Sequence, residues 1–386
     1  MRETFLPFGA PLIEQAEIDE VVASLKSGWL GTGPKVHKFE EMFKEYKGVK
    51  YAMALNSCTA ALHLSMLAIG IKPGNEVILP SMTFASTANA VIHAGGKPIL
   101  VDCEKDTMNM DPEDIERQIT PKTKAIIPVY FAGRPCNMDR IVDIANKHNL
   151  KIVEDAAHAI EAEYNGKKTG TFGDIGCFSF YVTKNIITGE GGMAITNVEE
   201  YANKIKRLSF HGIRKDKLHS SSDKKYKHYQ VIDRGFKLTM MDIQAAIGIH
   251  QLPRVEKYWE RRKEIWERYK EAFKDLPVFI PAPIPNGVKH SYHLYTLLLD
   301  IDKLNITRDE FLYEMAKRNI GVGVHYIALH LHPYYQQKYG YKRGDFPNAD
   351  WISDRTVSIP LSAKLTDDDV QDVINTVREI ITLYRR

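Results

Sequence analysis

A chain of 386 residues is long enough to bury a large core and is expected to form two domains rather than one. Its 52 Lys and Arg against 49 Asp and Glu leave a formal net charge of +3, which speaks against the basic surface of a nucleic-acid binder. No run reaches the ~18 apolar residues of a membrane helix, the first eight residues lack an apolar signal core, and Cys58, Cys103, Cys136 and Cys177 show no CxxC spacing. The expectation is a reduced, soluble, cytoplasmic protein that binds neither nucleic acid nor membrane.

Two helices come first, over 12–27 and 35–47, stopped by Gly28 and Gly48. A strand Tyr51–Leu55 leads to a helix Ser57–Ile69 that ends at Gly70. After a Pro73-Gly74 turn come a strand Glu76–Leu79, a helix over 85–94 and a strand Pro98–Val101. A helix over 112–119, a strand Ala125–Val129, a helix over 138–148 and a strand Lys151–Val153 continue the alternation. Apolar strands separated by helices predict an α/β fold with a mostly parallel central sheet covered on both faces. Further apolar runs follow at Ile175–Phe180 and Gly192–Thr196, then a helix near 240–251. Beyond Pro253 a charged helical stretch over 254–274 is expected to lead into a smaller C-terminal α/β domain, which closes with a helix from about 365 to 385. The predicted division is 1–252 for a large domain and 253–386 for a small one. No internal repeat interrupts this plan.

Three segments carry chemistry. Asn56-Ser57-Cys58-Thr59 joins a strand to a helix, where unpartnered N–H groups and the helix dipole favour a dianion such as phosphate. Taken alone, an ordinary N-cap is the commoner reading of such residues. Lys151-Ile152-Val153-Glu154-Asp155 runs an apolar strand into an acidic pair, and strand ends are where open α/β sheets bind ligands. Ser179 and Lys184 then enter a turn before Gly189-Glu190-Gly191-Gly192. A desolvated lysine in such a turn is a Schiff-base candidate, whereas a solvated one is a poor nucleophile. Gly31-Thr32-Gly33-Pro34 lacks the third glycine and the preceding strand of a dinucleotide loop, so a nicotinamide site is rejected.

With Glu154-Asp155-Ala156-Ala157-His158, and with Ser179-Phe180 followed by Lys184 and Gly189-Glu190-Gly191-Gly192, the chain resembles the DegT-type nucleotide-sugar aminotransferases along nearly its whole length. These are pyridoxal 5'-phosphate (PLP) enzymes of the aspartate-aminotransferase-like transferase fold. The resemblance implies that Lys184 binds PLP and relays a proton, and that Asp155 pairs with the ring nitrogen. It further implies that His158 approaches the phenolic oxygen, that Phe84 stacks on the ring, and that Ser57, Cys58, Thr59 and Ser179 hold the phosphate. Where much of the family places an Asn reaching the phosphate from the neighbouring subunit, this chain has Lys237, in Gly235-Phe236-Lys237-Leu238-Thr239-Met240. The implied assembly is a homodimer with shared active sites.

Trp29, His325 and Tyr326 are expected to contact the substrate, with core packing the competing reading for Trp29 and solvated loop histidines for the cluster His325, His330 and His332. No carboxylate or thiolate lies at ligand spacing in sequence near that cluster, so no metal is expected. The resemblance implies transfer of an amino group from L-glutamate to a nucleotide-linked keto sugar, closest to the branch that aminates carbon 4 of UDP-linked sugars. The competing readings are a dehydratase, in which His replaces the Schiff-base lysine, and a non-catalytic regulatory relative. The presence of Lys184 speaks against the dehydratase.

Overall fold

The computed structural model describes residues 2–214 and 229–386. The chain starts with helices α1 (Gln15–Ser27) and α2 (Pro34–Lys47), then β1 (Tyr51–Leu55), α3 (Cys58–Ala68), β2 (Glu76–Pro80), α4 (Ala85–His93) and β3 (Lys97–Val101). Next come α5 (Pro112–Gln118), β4 (Thr123–Ile126), α6 (Met138–His148), β5 (Lys151–Asp155) and the short hairpin β6 (Glu163–Tyr164) and β7 (Lys167–Lys168). β8 (Ile175–Ser179), β9 (Gly192–Thr196) and α7 (Glu199–Ser209) complete the central sheet and its cover. The short β10 (Ile213–Arg214) and β11 (Gln230–Val231) precede α8 (Asp242–Gln251) and the long α9 (Val255–Phe273). A second sheet uses β12 (Val278–Phe279), β14 (Tyr295–Leu299) and β15 (Thr356–Ile359), while β13 (Val288–Lys289) pairs with β6. The remaining helices are α10 (Arg308–Lys317), α11 (Pro333–Tyr339), α12 (Pro347–Ser353) and α13 (Asp367–Leu383).

The central sheet has the order β1-β9-β8-β5-β4-β2-β3. Its pairs from β3 to β8 are parallel, and β9 runs antiparallel to both β8 and β1. The expectation of a mostly parallel sheet holds. The reversal at β9 follows from its connection to β8, a turn-rich stretch without a crossover helix.

Side chains two apart in a strand share a face, and the cores divide accordingly. Met53, Leu55, Val77, Leu79, Val153 and Cys177 pack with α3 and α4 in one core. Ala52, Ala54, Ile78, Ile152, Phe178 and Met193 pack with α2 and α6 in another on the opposite face. A third core joins Ile265, Trp266, Tyr269 and Phe273 of α9 to Leu297, Val357 and the inner face of α13, and it also takes in Leu6. The spacing from 265 to 273 lays those side chains along one stripe of the helix.

Most boundaries lie within a few residues of those predicted. Ser57 is the N-cap of α3 rather than its first helical residue, its Oγ accepting from the Ala60 amide at 3.1 Å. The strand expected over Ala125–Val129 ends at Ile126. Pro128 has no N–H to continue the ladder, and only a single bridge from Val129 to Asp155 extends the pairing. Among the described residues no helix is long and apolar enough to cross a membrane.

Candidate active site

Because β9 runs antiparallel, it starts at the edge of the sheet where its parallel neighbours end. Asp155 is the last residue of β5, Ser179 the last of β8 and Gly192 the first of β9. Ser57 lies between β1 and α3, and Phe84 caps α4 just beyond β2. A cavity of about 470 Å³ opens at this edge, within the range of small-molecule sites. Ser57, Cys58, Thr59, Phe84, Asp155, His158, Ser179, Lys184, His325 and Tyr326 all line it.

Two expected residues stand outside the cavity of the single chain. Trp29 is exposed and donates from Nε1 to the Thr32 carbonyl at 3.3 Å. Lys237 is exposed, with Nζ 3.1 Å from Thr239 Oγ1 and over the Phe210 ring. Lys237 does not line this chain's own cavity.

The acidic pair separates by strand parity. Glu154 is buried on the face away from the cavity, where it accepts from the Tyr130 hydroxyl and from the amides of Gly170 (2.6 Å) and Gly173 (2.7 Å). Asp155 faces the cavity. Burial pushes its carboxyl above the usual range, and hydrogen bonds from Thr87 Oγ1 (2.8 Å) and the Ala157 amide (3.2 Å), with the charge of Lys184, restrain that rise. Thr83 in turn bonds Thr87 at 2.9 Å. Sequence reasoning passed over both threonines; their signal was the i, i+4 spacing across the start of α4, around the singled-out Phe84.

Burial lowers the Lys184 amine to about 8, against the opposing influence of Cys58 and Asp155. His158 is held well below its ordinary value, by burial first and then by Lys184 and His325. Burial and Lys184 also lower His325, to about 4. All three shifts favour neutral nitrogens around the cavity at neutral pH. His158 Nε2 lies 3.3 Å from the Tyr326 hydroxyl, and Tyr326 meets the Phe84 ring at a centroid distance of 6.1 Å. Phe84 is 61% exposed, so its ring is not packed in a core.

His330 is not a solvated loop residue. It is fully buried, with Nδ1 2.7 Å from Ser81 Oγ and Nε2 2.9 Å from Asp350 Oδ1. The carboxylate missing from the local sequence thus comes from α12. This chain of bonds ties the end of β2 to the segment that carries His325 and Tyr326.

These residues fit PLP. The first amides of α3 and the hydroxyls of Ser57, Thr59 and Ser179 form a phosphate-sized donor set. A Cβ on Gly192 would stand 2.3 Å from the Ser57 carbonyl carbon, so β9 can pass this close to the cradle only as glycine. Among the described residues the Asp155 carboxylate accepts two hydrogen bonds, and it opens to the cavity, leaving room for a cationic N–H donor.

Comparison with known proteins agrees. Residues 11–378 match the DegT/DnrJ/EryC1/StrS aminotransferase family. The spore coat polysaccharide biosynthesis protein SpsC of Bacillus subtilis is 47% identical over 381 residues, covering 98% of each chain. Spr1654 of Streptococcus pneumoniae in its PMP form superposes with a TM-score of 0.92 at 34% identity, covering 98% of this chain and 99% of its own; its PLP form gives 0.91 at 33%. PseC of Helicobacter pylori, an aminotransferase involved in the biosynthesis of pseudoaminic acid, gives 0.91 at 29% identity over 99% of this chain and 100% of its own. The chain belongs to the DegT/DnrJ/EryC1/StrS aminotransferase family and is a PLP-dependent sugar aminotransferase.

Proposed function

We propose that the amino donor is L-glutamate and the acceptor a nucleotide-linked keto sugar, a UDP-4-keto sugar first among them, in cytoplasmic amino-sugar and surface-polysaccharide biosynthesis. The observation that carries this reading is a desolvated amine and a buried carboxylate, Lys184 and Asp155, lining one cavity that starts at the first turn of a helix. The likeness to SpsC supports the polysaccharide context.

In this reading the first turn of α3, with Ser57, Cys58, Thr59 and Ser179, holds the phosphate, and Phe84 covers one ring face. PLP, when bound, supplies an electron sink for the bonds of the substrate carbon. Asp155 keeps a proton on the ring nitrogen, which maintains that sink. Lys184, lowered to about 8, is neutral in about a tenth of molecules at pH 7 and so can attack a carbonyl. Its Nζ, which lines the same cavity, would carry the proton that leaves one side of the C–N bond and returns on the other. His325 and Tyr326, which line the cavity, are the proposed substrate contacts.

We also propose a homodimer with shared sites, in which Trp29 and Lys237 serve the partner's cavity. Exposed Ile18, Val22 and Leu25 form an apolar stripe on α1 that leads to Trp29, the kind of surface a second subunit covers. Within each subunit we place the domain division at 252/253, at the entrance to α9.

Two measurements test this function. Borohydride reduction of the PLP-loaded protein and peptide mapping should label Lys184; a label on another lysine, or on none, removes the assignment. In unreduced protein, added glutamate should bleach the visible band of bound PLP, and a panel of UDP-, dTDP- and GDP-keto sugars should restore it selectively. A band indifferent to glutamate would point to another donor or to a non-catalytic relative.

A further inference from the structure

Beneath the cavity lies a buried polar chain with no counterpart in the roles assigned so far. Asn185, next to Lys184, donates from Nδ2 to both carboxylate oxygens of Glu161 and to the Ser291 carbonyl, each at 2.9 Å. Three acceptor oxygens around Nδ2 fix the orientation of the amide, so Oδ1 must be the atom that meets His293 Nδ1 at 2.9 Å. That contact requires an N–H on His293 Nδ1. Its ring is pinned against His158, with centroids 4.3 Å apart and planes tilted by 37°.

His158 completes the chain. Its Nδ1 is buried without a hydrogen-bond partner, whereas Nε2 lies beside the Tyr326 hydroxyl. An orphaned N–H in a protein interior costs more than an orphaned lone pair. The proton of neutral His158 therefore belongs on Nε2. With its Nδ1–H committed to Asn185, the His293 ring is not free to turn its remaining lone pair toward His158 Nδ1.

We propose that Asn185 is a positioning residue which, braced by Glu161 and the Ser291 carbonyl, anchors His293 and thereby holds His158 as a neutral donor through Nε2. The inference rests on the reading that Lys184 binds PLP with His158 near the phenolic oxygen. With PLP bound, a neutral N–H that donated to that oxygen would draw off negative charge that otherwise retains a proton on Lys184 Nζ. The charged and titratable groups that act here are Lys184 and His325 on His158, Cys58 and Asp155 on Lys184, and His158, Lys184, Arg262 and His325 on His293.

The test is a spectrophotometric pH titration of the visible band of the PLP-loaded protein, read without turnover. Asn185→Ala should raise the midpoint by about 0.5–1 pH unit, since a misaligned His158 donates less to the oxygen. His158→Ala should raise it at least as far, and the double variant no further than His158→Ala alone, because the first residue acts through the second. Glu161→Gln keeps one acceptor oxygen for Asn185 but replaces the other with a donor, and should raise the midpoint by less than Asn185→Ala. Should Asn185→Ala fail to fold, Asn185→Ser gives the same readout with a smaller loss of volume. Unchanged midpoints in the Asn185 variants, additive shifts in the double variant, or a Glu161→Gln shift as large as that of Asn185→Ala would each overturn the proposal. Absence of the band in wild type would instead overturn the parent reading of Lys184.

Discussion

The floor and the rim of the cavity are built in opposite ways. The floor is closed: Asp155, His158, Glu161, Asn185 and His293 are all buried, and most of their polar atoms find partners within the same chain. Toward the rim the chain is open. Phe84 and Tyr181 expose their rings at the mouth, and Trp29, beyond it, is 56% exposed with local bonds to Ser27 and Thr32. A floor of this kind can position a cofactor before any substrate arrives. The exposed apolar side chains suit a boundary that a second subunit completes, so changes to the floor should alter chemistry and changes near the rim should alter recognition.

The sharpest test of that contrast is Lys184→Ala, which should lower steady-state transamination by ~10⁴-fold or more, since covalent capture and proton relay both depend on its amine. Turnover retained by the purified variant would move the chemistry elsewhere. Asp155→Ala should reduce kcat by about 10²-fold and weaken PLP binding, as the partner of a cationic nitrogen disappears; equal rates would mean that another group faces that atom.

The pH dependence follows from the lowered amine. Only neutral Lys184 attacks, so the rate of PLP capture by the apoprotein should rise about tenfold per unit up to about pH 8 and then level off. A plateau delayed to about pH 10 would indicate a solvated lysine. For the rim, Trp29→Ala should raise the KM for the sugar nucleotide several-fold, about 1 kcal/mol of binding, while leaving the band of bound PLP unchanged. A lost band would place Trp29 in the cofactor site instead. The smallest effect is expected from Ser57→Ala, which removes an N-cap and should cost about 1 kcal/mol in denaturant unfolding, with a modest loss of PLP affinity. Unfolding unchanged from wild type would mean that the amides of α3 need no cap.

What the sequence disclosed follows from how local each signal was. β1 and β9 could be placed to the residue because each is a short apolar run bounded by turn residues. Asp155, His158 and Lys184 could be singled out because Asp155 ends β5, His158 follows in a run of small residues, and Lys184 precedes a glycine-rich stretch; all three line one cavity. Parity resolved Asp155 from Glu154 only once the strand's direction and neighbours were known. The bond between Asn185 and His293 spans 108 positions, and that between Ser81 and His330 spans 249. No local pattern announces such pairs, because both partners are ordinary residues until the C-terminal segment folds back over the sheet.

The bonds among Ser81, His330 and Asp350 have a consequence for automated searches. A hydroxyl, an imidazole and a carboxylate in series are the parts of a hydrolytic centre, and a template matched on interatomic distance would flag this chain as a protease or esterase. Ser81 and His330 have no surface open to solvent, and neither borders the cavity. The arrangement is a rivet between two loops, and solvent access is the criterion that separates it from a nucleophile.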